Sequence, residues 1–213
     1  PEHFPVIEVP ELSVCIIAMI VILAIFLSIV SVLFCMCLHY TEHTYQHYFT
    51  NPYIRVIVGS AIVIGLTLIV GNRDYIGAGM PMIERAFEGE VPWFAFFLKI
   101  VFTAVTLVAG FNGGEIVPSF FAGATFGCVV GPLLGLPVPL CAACGMIGVF
   151  CGATNSPLSS LLIAFELFGF EGMPYYMFTV AICYTLSGYY GLYSSQRIMY
   201  SKHKTRYINA HTK

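Results

Sequence analysis

The chain has 213 residues, of which 58% are hydrophobic and only 9% charged. Water-soluble domains carry about 25% charged residues, so an ordinary soluble domain is excluded and an integral membrane protein is expected, with no nucleic-acid partner and no cofactor. The net charge of −2 says little, but its distribution says more: Arg197, Lys202, Lys204, Arg206 and Lys213 supply five of the nine Lys and Arg from the last 17 residues. By the positive-inside tendency, the basic tail 196–213 is expected to be cytoplasmic.

Residues 1–10 form a polar, proline-flanked lead-in segment. The chain begins with Pro1, shows no cleavable signal, and reads as a piece of a longer protein. Leu12 to Leu38 runs without a charge. About 20 apolar residues cross a bilayer core, so this helix is long enough to tilt and project. Its end carries His39, His43 and His47 on one helical face. These are either a metal site or an interfacial polar stripe beside Tyr40, Tyr45 and Tyr48; Glu42 lies off that face, and no metal is assigned.

Asn51-Pro52 marks a turn, and Tyr53 to Val70 is a second span with Arg55 near its start. A glycine-rich connection, Gly71 to Met80, holds Arg73 and Asp74, and Pro81 to Glu90 reads as a short exposed amphipathic helix. Pro92 to Ala109 is a third span, interrupted by Lys99. A lysine there is costly in lipid and should face protein, water or an anion, or snorkel to an interface.

The chain then breaks at Gly113-Gly114 and restarts as a helix at Pro118, a residue suited to a first helical position. A helix that begins inside hydrocarbon leaves unpaired N–H groups and a partial positive charge pointing inward. Such a break persists only where it lines a cavity or meets a polar ligand, and the natural ligand is an anion. Gly123, Gly127, Gly131 and Gly135 follow every four residues, a small-residue face that must pack on another helix. Leu136 to Pro139 is a turn, and two short helices follow, Leu140 to Ala153 and Asn155-Ser156-Pro157 through Glu166 to Phe168. Short broken helices of this kind meet near the midplane of transporters, and the span count is that of one half of an inverted repeat. Tyr175 to Tyr189 forms a last span with interfacial tyrosines at its ends, Gly191 to Ser195 breaks it, and a basic helix, Gln196 to Lys204, leads out.

Lys99, Gly113-Gly114-Glu115-Ile116-Val117-Pro118 and Gly123-Ala124, then Asn155-Ser156-Pro157-Leu158 with Ala164-Phe165-Glu166-Leu167, then Gly191-Leu192-Tyr193-Ser194 occur in that order. Together they resemble the second half of the ClC chloride channels and anion/proton antiporters. The resemblance implies an all-α membrane fold of tilted, broken helices over 11–195, one half of an inverted repeat, in a membrane homodimer at the plasma membrane. It implies a chloride or fluoride ion held by backbone N–H groups of Gly114, Glu115, Ile116 and Val117 and by the Tyr193 hydroxyl, with the first-repeat half missing here. Ile116 replaces the family's phenylalanine. Glu115 stands where chloride members have an apolar residue, and Gly-Gly-Glu resembles the fluoride/proton antiporter branch, although Val117 replaces that branch's common threonine. Glu115 is therefore either the proton-coupling group or a helix cap. Glu166 reads as structural, paired or protonated. Alternatives to transport are a non-transporting packing or dimerisation half, or a redox pair at Cys141-x-x-Cys144, which lacks the βαβ context such a pair needs.

Overall fold

The computed structural model describes residues 9–49, 51–111, 113–202 and 204–212. Most of the lead-in segment (1–8), Asn112 of the central break, and His203 and Lys213 of the tail lie outside the described residues. The helices are α1 (Val14–Tyr48), α2 (Pro52–Val70), α3 (Met80–Glu88), α4 (Ala95–Val108), α5 (Ile116–Val130), α6 (Val138–Thr154), α7 (Pro157–Phe168) and α8 (Met173–Leu186). Two strands, β1 (Arg197–Tyr200) and β2 (Tyr207–His211), close the chain. Three stretches are long and apolar enough to cross a membrane, Val14–Tyr45, Pro52–Val70 and Ile116–Leu134, while α4, α6 and α7 are apolar but shorter.

The hub is α6, in which Leu140 through Thr154 are all buried. Its glycines explain how so much is packed around it. A Cβ on Gly145 would lie 2.1 Å from the Gly123 carbonyl oxygen, and one on Gly127 would lie 2.0 Å from the Cys141 carbonyl oxygen. The backbones of α5 and α6 thus touch directly, the close approach that small residues permit in membranes. On the other side, Gly148 faces Thr179 and Cys183 of α8 and Leu27 of α1, and Gly152 faces Ser31. Cys141 and Cys144 are buried and free and pack as small hydrophobes, which removes the redox reading.

Four expectations are corrected. The broken helix begins at Ile116, not Pro118, which occupies the third helical position. Its missing N–H costs nothing there either, because the whole first turn lacks intrahelical acceptors. The glycine ladder ends at Gly131; a 3₁₀ turn over Pro132–Leu134 follows, and Gly135 adopts φ = 70° beyond it. Tyr175 and Tyr176 are buried rather than interfacial, and the Tyr175 hydroxyl donates to the Pro10 carbonyl at 2.9 Å. The tail is an antiparallel hairpin pairing Arg197 with His211 and Tyr200 with Tyr207, not a basic helix. Lys202, in its turn, is drawn onto the ends of α6 and α8, an attraction invisible in local composition. Glu166 lies on the exposed face of α7, beside exposed Leu162 and Phe165.

Candidate functional site

Glu115 occupies the position before α5, with φ −89° and ψ −16°, and among the described residues its side chain makes no capping hydrogen bond. The helix-cap reading of Glu115 is therefore not met. The first ladder bond runs from Ser119 N–H to the Glu115 carbonyl at 3.1 Å, and the Ser119 hydroxyl folds back on the Ile116 carbonyl at 2.6 Å. Of the three residues ahead of Ser119 in the helix, Pro118 has no N–H, so the turn presents those of Ile116 and Val117. A cavity of ≈ 260 Å³ opens beside this turn, walled by Gly113, Gly114, Val117 and Pro118, by Phe102, Thr103, Thr106 and Leu107 of α4, and by Tyr75, Gly77 and Ala78. Gly114 and Val117 thus share one cavity, while the Ile116 side chain is 40% exposed.

The loop that forms the far wall is held from behind by Lys99. Its ammonium group is buried in protein and donates to the carbonyls of Gly77 at 2.6 Å and Tyr75 at 3.3 Å, with the Phe121 ring 4.8 Å away. Snorkelling is excluded by that burial. Tyr75 stacks on Phe102 at 5.8 Å, and Gly79, at φ = 78°, leaves no room for a Cβ, which would sit 2.7 Å from Phe121. Asp74 anchors the same loop through Arg85, 2.5 Å away. The hydrogen bond from Arg85, then that from Asn72, holds the Asp74 carboxyl below its ordinary value.

Glu115 does not line this cavity. Its side chain is half-buried and enters a second one, of ≈ 210 Å³, walled by Leu38 and Glu42 of α1, Arg55 of α2, and Leu107 and Val108 of α4. His39 and Glu42 lie within electrostatic reach of the Glu115 carboxyl. The N-terminal turn of α5 therefore stands between two cavities: Val117 and Pro118 line one, and Glu115 lines the other.

Tyr193 lines neither cavity, and its side chain is 44% exposed. Its backbone is tightly fixed. The Tyr193 carbonyl accepts from Gln196 N–H at 2.9 Å and from the Thr212 hydroxyl at 2.6 Å, and Leu192 N–H donates to Ala153 at 2.8 Å. His39 Nε2 lies 2.8 Å from the Gly191 carbonyl, which only accepts, so Nε2 carries the proton. Below this segment Lys202 donates to Asn155, to the Tyr184 carbonyl at 2.8 Å and to the Ser187 hydroxyl at 3.1 Å. Burial lowers the Lys202 pKa to about 8. Among the described residues no group of three or more His, Cys, Asp and Glu is placed to hold a metal ion. Sequence reasoning missed the targets of Lys99 and Lys202 and the meeting of Glu115 with Glu42 and Arg55. The only signal for them was a charge in an otherwise apolar or broken segment, which announces a partner without naming it.

Broken helices packed backbone on backbone, with a helix N-terminus beside a cavity, define an integral membrane protein of interrupted-helix architecture. The family model for voltage gated chloride channels matches residues 2–188, and the chain belongs to that family. It is 32% identical over 207 residues to a chloride/fluoride channel protein of Pseudomonas syringae pv. tomato, an alignment covering 94% of this chain and 46% of the relative. It is 27% identical over 125 residues to an uncharacterized protein of Methanocaldococcus jannaschii, covering 56% of this chain and 31% of that one. The crystal structure of a CLC-type fluoride/proton antiporter superposes with a TM-score of 0.86 at 28% identity, over 90% of this chain and 49% of that structure. The chain thus spans about half, or less, of the length of the relatives it matches.

Proposed function

We propose that residues 11–195 are the second-repeat half of a ClC-type pathway that exchanges fluoride for protons across the plasma membrane. In this reading the backbone donors around Gly114, Ile116 and Val117, together with the Tyr193 hydroxyl, hold the anion, and Glu115 carries the proton. The observation that supports it above others is the division at the start of α5, where the carboxyl group enters a cavity separate from the one beside the Val117 turn. An anion on the helix N-terminus and a negative charge one residue away repel each other by several kcal/mol if closely spaced at an effective dielectric of about 20. Protonation of Glu115 removes that repulsion, so anion and proton favour each other's presence, and linkage makes the effect reciprocal. Fluoride suits this arrangement better than chloride because it is the more basic anion and accepts a stronger hydrogen bond.

The other half of the site belongs to the first repeat, and two copies form the membrane homodimer. The exposed apolar side chains of α7, Leu158, Leu162 and Phe165, suit a partner helix or lipid. The tail 196–213 lies on the cytoplasmic side. The test is flux from liposomes containing the full-length protein, followed with fluoride and pH electrodes. Fluoride movement coupled to protons in the opposite direction is expected, with Glu115→Gln abolishing the proton component. A preference for chloride, or unaltered proton movement in that variant, overturns the reading. The second half alone, residues 1–213, is expected to give no flux above protein-free liposomes.

A further inference from the structure

Tyr193 stands on a stretch of chain that has no ladder of its own. From Tyr190 to Gln196 the backbone is irregular, between the end of α8 and the start of β1, so its polar groups must find partners elsewhere. Three of its carbonyls accept from side chains in three separate parts of the chain. Asn155, just past α6, donates through Nδ2 to the Tyr190 carbonyl at 2.8 Å. His39 of α1 donates through Nε2 to the Gly191 carbonyl at 2.8 Å, and the Thr212 hydroxyl donates to the Tyr193 carbonyl at 2.6 Å. The stretch is pressed onto these donors: a Cβ on Gly191 would lie 2.7 Å from Asn155 Nδ2 and 3.1 Å from Thr212 Cγ2.

We infer that His39 is a positioning residue for Tyr193, holding the Gly191 carbonyl so that the Tyr193 hydroxyl keeps a fixed place relative to the first turn of α5. The inference rests on the anion reading above, in which that hydroxyl and the N–H groups of the α5 turn hold one ion.

The geometry separates His39 from the other two donors. The Tyr190 carbonyl and the Leu192 N–H are both tied to the end of α6, through Asn155 and the Ala153 carbonyl. Two attachments to one helix define an axis about which the stretch can still turn. Thr212 and the Gln196 N–H tie Tyr193 to the tail, outside the helical body, and move with it. His39 supplies an attachment from a second helix of the body, at the residue between the two α6 attachments, and so removes the turning freedom. It also joins the two parts of the site. Leu38 and Glu42, its neighbours on α1, wall the cavity that Glu115 enters, and α1 packs directly on α5. An imidazole suits this task, because its Nε2–H donates in the neutral tautomer and in the protonated ring alike. The half-buried His39 follows the charge-free run Leu12 to Leu38, where a donor that needs no charge costs least.

The experiment measures fluoride binding isotherms of the full-length protein in detergent, with the thermal midpoint as a separate reading of the fold. His39→Phe keeps a ring and removes the donor. It is expected to weaken fluoride binding about three- to tenfold, the worth of one neutral hydrogen bond, with the midpoint scarcely lowered. His39→Gln offers an uncharged amide N–H to the same carbonyl and should restore binding to within about twofold of the unmutated protein. In a Tyr193→Phe background there is no hydroxyl to position, so His39→Phe should change binding by less than about twofold. If His39→Phe is not monodisperse, His39→Leu takes its place in the same cycle. Unaltered binding on loss of the donor overturns the inference. So does equal weakening with and without the Tyr193 hydroxyl, which makes His39 act independently of it. Failure of His39→Gln to restore binding overturns it too, because charge or ring shape and not the donor is then what matters. These three results leave the anion reading standing so long as Tyr193→Phe by itself weakens binding. If Tyr193→Phe binds fluoride as the unmutated protein does, the hydroxyl leaves the anion site and the inference falls with that part of the reading.

Discussion

The two ends of α5 are built for opposite purposes from the same kind of residue. Toward its C-terminal end, Gly123, Gly127 and Gly131 are buried against α6 so closely that any side chain would strike backbone or Cys141. At its N-terminal end, Gly113 and Gly114 are exposed, and a Cβ on Gly114 would meet nothing within 4 Å. Glycine serves packing in one place and access in the other. In the first, removing the side chain brings two backbones together; in the second, it leaves a broken helix open to a cavity. The lesson is that a rigid end holds an open one in place. With the α5 and α6 backbones in direct contact, the exposed turn cannot close by sliding along its own axis.

The comparison can be broken most severely at the packed end. Gly127→Ala puts a methyl group 2.0 Å from the Cys141 carbonyl oxygen. A backbone atom cannot swing aside, so the cost should exceed the upper end of ordinary overpacking, about 3 kcal/mol. Loss of monodisperse protein on gel filtration, or a large fall in thermal midpoint in detergent, is expected. Gly114→Ala sharpens the contrast: its thermal midpoint should stay near that of the unmutated protein, while fluoride binding weakens because the new methyl group stands at the cavity wall.

The next effect in size is at Tyr193. Replacing it with phenylalanine removes one hydroxyl donor and leaves the backbone bonds to Gln196 and Thr212 intact. Loss of a hydrogen bond to a charged partner costs about 1.5–3 kcal/mol, equivalent to roughly 10- to 100-fold weaker binding. An isotherm identical to that of the unmutated protein would return Tyr193 to an interfacial role.

Smaller still is the expected effect of Lys202→Met, which strips the clamp joining the hairpin to Asn155, Tyr184 and Ser187. A loss of about 1–2 kcal/mol should fall on the tail alone. Limited proteolysis within 196–213 should accelerate, with the melting of the helical body scarcely altered. Equal protection of the tail in both proteins would show that the strand pairing suffices.

The smallest is a pH effect at Asp74. Its folded value lies below its ordinary one near 3.8, so its contribution to stability is complete above that value and is lost as pH falls through the lowered one. Both partners are partly exposed, with side chains 38% and 27% accessible, which limits the loss to under about 1 kcal/mol. Thermal midpoints measured down to pH 3 should show a small decline that Asp74→Asn removes. A decline of the same size in the variant would assign it elsewhere.

Much of the architecture was determined by the sequence alone, because helices in lipid are specified by local apolarity and ended by local breaks. The helices at Pro52–Val70 and Pro157–Phe168, the interruption at Gly113-Gly114 and the packing of the Gly123 and Gly127 face all follow from composition and spacing. Other features are properties of position and not of pattern. Lys99 announced that it needed acceptors, yet only the folded chain brings the Tyr75 and Gly77 carbonyls, more than twenty residues away, to its ammonium group. The tail carried enough charge for an exposed basic helix, and only the ends of α6 and α8 made a half-buried place for Lys202 beside a hairpin. Glu115 could be read as a cap or as a proton carrier from its neighbours in sequence. Which cavity its side chain enters depends on Glu42 and Arg55, contributed by two other helices. Tertiary structure decided these points because a buried charge is stabilised by partners gathered from across the chain, whereas a hydrophobic span needs only its own residues and the lipid around it.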